Sequence, residues 1–383
     1  MAEAREVVVT GLGLVSCAGE GVEAHLAALT AGGPPRADEG SFPPYLVHPV
    51  APLNYDLQIP KKSDQRQMEP WQKLGVYAAG LALDSAGAKA DADLKHAMHL
   101  IVAAGGGERD YAVDGQILTG LKAAKDKSAA ERGAYLNERL MGDLRPTLFL
   151  AQLSNLLAGN IAIVHGVTGA SRTFMGEESA GVDALRVARE RIAAGQIDIC
   201  LVGGSYNAER PDVLLIYEMG GYLWRQPFAP VRERAGEGGF ILGSGAAFLV
   251  LESVEHAERR GAAPVARLDA VASDRSRRQP GAVKSSLAKL GASIATGGES
   301  LVLSGATGVA SLTAEEIEAV EALVPDAKVL TSGDLVGHTM EPQALFGAAL
   351  AAALIQAGEA RDALVTSVGH RRGEGLIRLS AAG

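Results

Sequence analysis

The run SRTFMGEESAGVDALRVARERIAAGQIDICLVGGS, residues 171–205, reads as strand, turn, amphipathic helix and strand. Two adjacent glutamates, Glu177 and Glu178, stand where the first strand turns into the helix. A glutamate in a first helical turn complements the helix dipole by about 0.3–1 kcal/mol, which is an ordinary structural use. In a nucleophile-based enzyme such a turn carries Cys or Ser, with histidine as its base or oxyanion donor. The fold and the chemistry both turn on what surrounds this acid.

The same plan recurs downstream. RERIAAGQIDICLVGGS (189–205) and ALIQAGEARDALVTSVG (353–369) each end a helix at Ala-Gly, add a short polar link and Asp, and enter an apolar strand. LIVAAGGG (100–107) and SLVLSGATG (300–308) form a second matching pair. Further strand-like runs lie at 6–13, 246–252, 328–334 and 363–370, nearly continuous in apolar character as buried parallel or mixed strands are. Helical stretches fall at 71–88, 178–195, 313–323 and 341–357. A duplicated βαβαβ core accounts for this better than two unrelated domains. It sets the starts of the 178–195 and 341–357 helices in equivalent positions, facing one cleft. Residues 31–52 read as loop, 120–145 as a charged helical insertion, and 273–282 as a solvated polar connection.

Composition narrows the classes. The 383 residues are 47% hydrophobic, enough for a large core, and 47 glycines with 4% aromatics suit an α/β protein with many strand-to-helix turns. The net charge of −9 and the lack of a basic stripe argue against a nucleic-acid partner. No apolar run approaches the roughly 20 residues of a membrane span, and the first residues lack a signal-peptide layout. Cys17 and Cys200 sit in or beside apolar runs, as buried thiols of a reducing cytoplasm do. No metal site is expected, because no Cys/His cluster has ligand spacing. The Gly11-x-Gly13 pattern in VTGLGLVS raises a dinucleotide-binding alternative, without a matching acid at the end of a second strand.

Several segments together resemble the β-ketoacyl-acyl-carrier-protein synthases, the elongating condensing enzymes. They are EVVVTGLGLVSCAGEGVEAHLAAL, SAGVDALRVARERIAAGQIDICLVGGS, GGFILGSGAAFLVLESVEHAERRGA and SGDLVGHTMEPQALFGAALAAALI. The resemblance implies a thiolase-like duplicated βαβαβ fold of five layers, α-β-α-β-α, with halves at 1–252 and 253–383. It implies a cytoplasmic protein with no cofactor beyond the phosphopantetheine of acyl carrier protein as carried substrate. It also implies a homodimer, or a heterodimer with a Cys-bearing paralogue, formed through the strand around ASRTFMG.

The family's active residues are only partly matched. Setting ESAG on the family's Cys-x-Ser-Gly turn puts Glu178 at the nucleophile position. Ser304 of SGATG stands at the first catalytic histidine, His338 at the second, and Gly333 at the family's lysine. Gly369, His370, Arg371 and Arg372 replace the Gly-Phe-Gly-Gly loop whose Phe gates the acyl pocket, so they are expected to bind substrate. A carboxylate cannot serve as the acyl acceptor of a thioester without forming a mixed anhydride. The resemblance therefore implies a non-condensing partner subunit, like a polyketide chain-length factor, in fatty-acid, lipid A-type very-long-chain or polyketide synthesis. The alternative is an enzyme in its own right, with Glu178 and His338 as an acid–base pair acting on acyl- or malonyl-carrier protein.

Overall fold

The computed structural model describes residues 4–31, 36–145 and 148–382. Ten core strands fall into two sets of five. The first is β1 (Val7–Ser16), β2 (His99–Ala103), β3 (Ser171–Phe174), β4 (Ile199–Tyr206) and β5 (Gly245–Ser253). The second is β6 (Ala266–Ser273), β7 (Leu301–Ser304), β8 (Lys328–Thr331), β9 (Asp362–Val368) and β10 (Glu374–Ser380). Each set runs in the same spatial order, β3-β2-β4-β5-β1 and β8-β7-β9-β10-β6. In each, the first three strands of that order are parallel and the last two pairings antiparallel. A short antiparallel contact, Val8 with Arg267 and Val9 with Ala266, joins the two sets edge to edge.

The helices repeat in step. α1 (Pro70–Ser85), α2 (Leu156–His165) and α3 (Glu178–Ala193) precede β2, β3 and β4; α4 (Ala282–Ser293), α5 (Ala310–Leu323) and α6 (Gln343–Gln356) precede β7, β8 and β9. α1 and α2 cover the outer face of the first set, α4 and α5 that of the second, and α3 and α6 lie between them. The result is the expected five-layer arrangement. Sequence explains the middle layer: α6, QALFGAALAAALIQ, is apolar around its whole circumference and buried at every position but its last, which is the signature of a helix with protein on all sides. α3 keeps a charged edge at Arg186, Arg189 and Glu190.

Three expectations need correction. Gly11 and Gly13 lie inside β1, not in a phosphate-binding turn. A Cβ on either would come within 2.4 and 2.0 Å of the carbonyl oxygens of Ala82 and Ala78. They are glycines because α1 packs directly on β1, which removes the dinucleotide reading. The 273–282 connection is not simply solvated: it follows a core strand, Ala266–Ser273, and its Arg278 reaches the buried Glu374 at 2.6 Å. The 328–334 run is strand only to Thr331; Ser332–Val336 is helical. The insertion is two helices, Tyr111–Ala123 and Ala129–Asp143.

Candidate functional site

Glu178 is the first residue of α3. Gly176 (φ 138°) and Glu177 (φ 58°) turn the chain sharply out of β3. For a glutamate this backbone is strained, a feature that clusters at functional turns. The turn drives the Glu178 side chain inward, where it is 1% exposed.

Two histidines meet it there. His338 follows the helix Ser332–Val336 and is fixed by its own N–H donating to the Ile241 carbonyl at 2.8 Å. Its Nε2 lies 2.7 Å from Glu178 Oε1. A carboxylate only accepts, so Nε2 carries the proton of this bond, while Nδ1 is buried without a partner. His370 lies in the β9–β10 loop, which Gly369 N–H closes on the Gly373 carbonyl at 2.8 Å. Its Nδ1 lies 2.9 and 3.2 Å from the two Glu178 oxygens, and its backbone N–H donates to Oε1 at 3.3 Å. Aromatic rings from the β4–β5 connection box the pair in. Phe240 stacks on His338 at 4.7 Å, and Tyr222 and Tyr217 stand edge-on to His370 at 4.7 and 5.3 Å.

The electrostatics follow from the geometry. Burial alone would raise the Glu178 carboxyl, but the His370 charge and hydrogen bonds from both histidines outweigh it and hold the group far below the usual carboxylate range. Burial works against a charged His370, yet the charge and hydrogen bond of Glu178, then the charge of Glu177, raise it. Outside this core, Arg371 pairs with Glu177 and its Nε faces His370 Nε2 at 3.2 Å. Glu177 Oε1 lies 3.6 Å from the same nitrogen. When His370 takes its second proton, Nε2 can no longer accept from Arg371 and faces Glu177 instead.

The remaining expected residues are elsewhere. Ser304 does not meet Glu178: it ends β7 with its hydroxyl donating at 2.8 Å to Glu316, which Thr366 also approaches at 2.6 Å. Gly333 is buried in the short helix before His338. Arg372 is exposed, opposite Arg277 across an isolated bridge. Gly369 belongs to the closed turn, and its carbonyl accepts from Arg278. Of the four loop residues expected to bind substrate, His370 is therefore drawn into the Glu178 site and Arg371 covers it. Glu177, Glu178 and His370 bring donor atoms within 4.8 Å of one another, as a cation site would. Here Arg371 and His370 already supply the positive charge.

Sequence reasoning missed Glu341. It follows Met340, another non-glycine residue of positive φ (54°), as Glu178 follows Glu177. Gly195 and Gly358, both left-handed, close α3 and α6 at matching distances beyond these glutamates. Setting the halves against each other on those glycines would have found it.

A cavity of about 460 Å³ opens on the other side of Glu177 and Arg371. It lies off the ends of β2 and β4, among Gly105, Ser205, Tyr206, Tyr217 and Glu341. Ligands of open α/β sheets bind at such carboxyl ends. No described helix is long and apolar enough to cross a membrane.

The model of the β-ketoacyl synthase N-terminal domain matches residues 4–257. The 3-oxoacyl-[acyl-carrier-protein] synthase 2 of Vibrio cholerae is 27% identical over 267 residues, covering 67% of this chain and 60% of that protein. The tetracenomycin polyketide synthase ketoacyl synthase beta subunit of Streptomyces glaucescens is 28% identical over 271 residues, covering 68% and 61%. The chain thus spans about 60% of the length of these curated relatives. Among solved structures, the ishigamide ketosynthase/chain length factor superposes with a TM-score of 0.81 at 20% identity, over 99% of this chain and 100% of that one.

Proposed function

This chain belongs to the β-ketoacyl synthase family, and from that premise we propose that it is a non-condensing subunit that pairs with an active, Cys-bearing synthase. One observation carries the reading: Glu178, which the sequence resemblance sets at the family's nucleophile position, is a buried carboxylate on which both nearby histidines converge. Condensation needs a group that accepts the acyl chain as a thioester, and an acyl-Glu178 would be a mixed anhydride, uphill from it. It also needs free N–H donors for the charge that develops when a malonyl group loses carbon dioxide. His338 Nε2 and His370 Nδ1 instead point at Glu178 itself. Ser304, which the resemblance sets at the first-histidine position, is turned away toward Glu316.

The acid–base alternative is disfavoured by the same geometry. A carboxylate stabilised far below neutral is a weak base at pH 7, and burial at 1% exposure keeps a substrate proton away from it.

What the scaffold retains suits a partner. β3 is an edge strand, hydrogen-bonded to β2 alone among the described residues, and Ser171 and Arg172 are exposed. Met175, next in the chain, is 62% exposed, and Ile163 on the helix before β3 is 73% exposed. An open strand edge flanked by apolar side chains is a surface that another chain covers. In this reading the subunit shapes the chamber in which a carrier-bound acyl chain grows.

Co-expression with a Cys-bearing synthase paralogue tests this. The two chains should co-purify, and the pair should elongate acyl-carrier protein while this chain alone neither elongates nor becomes acylated. Carbon–carbon bond formation by the isolated chain, or an acyl group covalently attached to it, would overturn the proposal.

A further inference from the structure

Arginines gather at the end of the second sheet far from Glu178. β9 starts at Asp362 and β10 ends at Ser380, and His370 lies in the loop that joins their other ends. Seven residues per strand, at about 3.3 Å each, put the open end of this hairpin about 20 Å from that loop. A cleft of about 250 Å³ opens there, lined by Arg5, Arg189, Arg267 and Arg378, with Glu6 and Asp269 as its acids. The four arginines come from four places in the chain: the residues before β1, the helix α3, and the strands β6 and β10. They converge in a chain whose net charge is −9.

Their charges are not balanced. Arg5 pairs with Asp198 at 2.6 Å, outside the cleft. Arg267 takes Asp269 at 2.6 Å and the exposed Glu6 at 3.3 Å. Arg378 stands 3.8 Å from the same Asp269, and its Nη1 donates to the Ile294 and Ala295 carbonyls beyond α4. Arg189 makes no ion pair among the described residues: its Nε and Nη2 donate to the Leu268 and Asp269 carbonyls. Three guanidinium groups thus share two carboxylates, and carbonyl oxygens satisfy N–H groups without cancelling a charge. Burial lowers Arg189 from its ordinary value, against the charges of Asp269 and Glu190 and together with that of Arg378. The fold does not require this charge. Arg189 stands six residues before Gly195, and Ala352 stands six before Gly358 in the matching helix α6.

A second cleft of about 340 Å³ shares Arg267, Asp269 and Arg378 with the first. Its other lining is polar and acidic. Glu299 accepts from the Gly297 and Gly298 N–H groups, Asp362 accepts from the Ser300 N–H, and Ser380 Oγ is buried without a partner. We propose that the arginine cleft binds a doubly charged oxyanion, phosphate or a phosphate monoester, through Arg189, Arg267 and Arg378. A guanidinium fork matches phosphate oxygens two at a time. Nη1 of Arg189 and Nη2 of Arg267 and of Arg378 make no hydrogen bond among the described residues, so each arginine keeps N–H groups for the ligand. The hydroxyl-bearing remainder of an ester enters the second cleft, where Ser380 and the two acids accept its hydroxyls.

The test is calorimetric titration of the intact chain with inorganic phosphate and with glycerol 3-phosphate at pH 7, sodium chloride holding the ionic strength constant. Both should bind. Arg189→Gln should weaken phosphate about tenfold, because a charged hydrogen bond is lost. Glu6→Gln removes a competing acid from an exposed position and should tighten phosphate about two- to threefold, a gain that a damaged fold cannot imitate. Glycerol 3-phosphate binding several-fold tighter than phosphate supports an ester that reaches the second cleft, and equal binding supports phosphate itself as the ligand. No binding of either probe beyond that of chloride, or affinities that both variants leave unchanged, would overturn the inference.

Discussion

Glu178 and Glu341 occupy the same place in the two halves of the duplicated core. Each follows a residue of positive φ and is almost fully buried; Glu178 opens the middle-layer helix of its half, and Glu341 stands two residues before the other. Their electrostatics are opposite. Glu178, with two histidines on it, is held far below the usual range, whereas Glu341, with one oxygen unpartnered, is pushed up to about 7. A third buried acid, Glu316, bonded by the hydroxyls of Ser304 and Thr366, is raised by burial despite those bonds. The helix start and the burial are common to the first two, so neither decides the charge. The partners decide it: against burial, the His370 charge with two histidine hydrogen bonds holds Glu178 ionised, hydroxyls moderate the cost for Glu316, and burial with the neighbouring charges of Glu178 and Glu177 favours the neutral acid at Glu341.

The largest expected effect comes from removing the better-partnered acid. Glu178→Ala strands two buried histidines and should cost about 3–5 kcal/mol at pH 6, measured by chemical denaturation. A loss below about 1 kcal/mol would mean that the three groups are not coupled. The milder Glu178→Gln reads the sign. Glu178 is depressed in the folded state, so its stabilisation is present above the unfolded carboxyl value of 4.5 and disappears as pH falls. His370 is raised, so its share is present below the unfolded value of 6.5 and disappears as pH rises through the folded value. The advantage of the natural chain over the Gln variant should therefore peak between these two pH values. A flat difference from pH 4 to 8 would remove the ion pair.

Glu341 should behave in the opposite sense. Its folded value lies above the unfolded 4.5, so the folded state holds the extra proton and loses stability as pH rises through about 7. Between pH 5 and 8, Glu341→Gln should gain on the natural chain by about 2–3 kcal/mol. If the two curves run parallel, the symmetry of the two glutamates extends to their charge and the comparison fails. Ser304→Ala is smaller again: Glu316 keeps Thr366 and loses one hydroxyl, at about 1–2 kcal/mol.

The duplicated fold was legible because the Ala-Gly helix ends and the apolar strands after them recur with little change. β6 and β10 were not legible, because ARLDAVAS and EGLIRLS interrupt the apolar character with charges that find partners only in the fold. Arg267 pairs with Asp269 and Glu6, and Arg378 donates to the Ile294 and Ala295 carbonyls. At the site, the pairing of Glu178 with His338 could be read from two helix starts facing one cleft. The second histidine could not. His370 sits beside two arginines in a loop that reads as exposed and cationic, and only the tight Gly369–Gly373 turn sends its ring inward while leaving Arg371 outside. Glu341 was hidden by an ordinary context, an acid before a proline at a helix start.

The smallest effect on stability belongs to the outer pair, and it separates cover from foundation. Arg371 is 55% exposed and Glu177 24% exposed, so water screens their attraction and Arg371→Ala should cost at most about 0.5 kcal/mol. The guanidinium nevertheless stands against His370 Nε2, between that nitrogen and solvent. Its loss should raise the rate at which diethylpyrocarbonate modifies His370 several-fold, with Glu177→Gln acting the same way by releasing Arg371. An unchanged rate would assign the shielding to Tyr217, Tyr222 and Phe240 alone. Either way the stability of the Glu178 cluster should not follow, because the bonds that hold it run inward to the two histidines and not outward to the arginine.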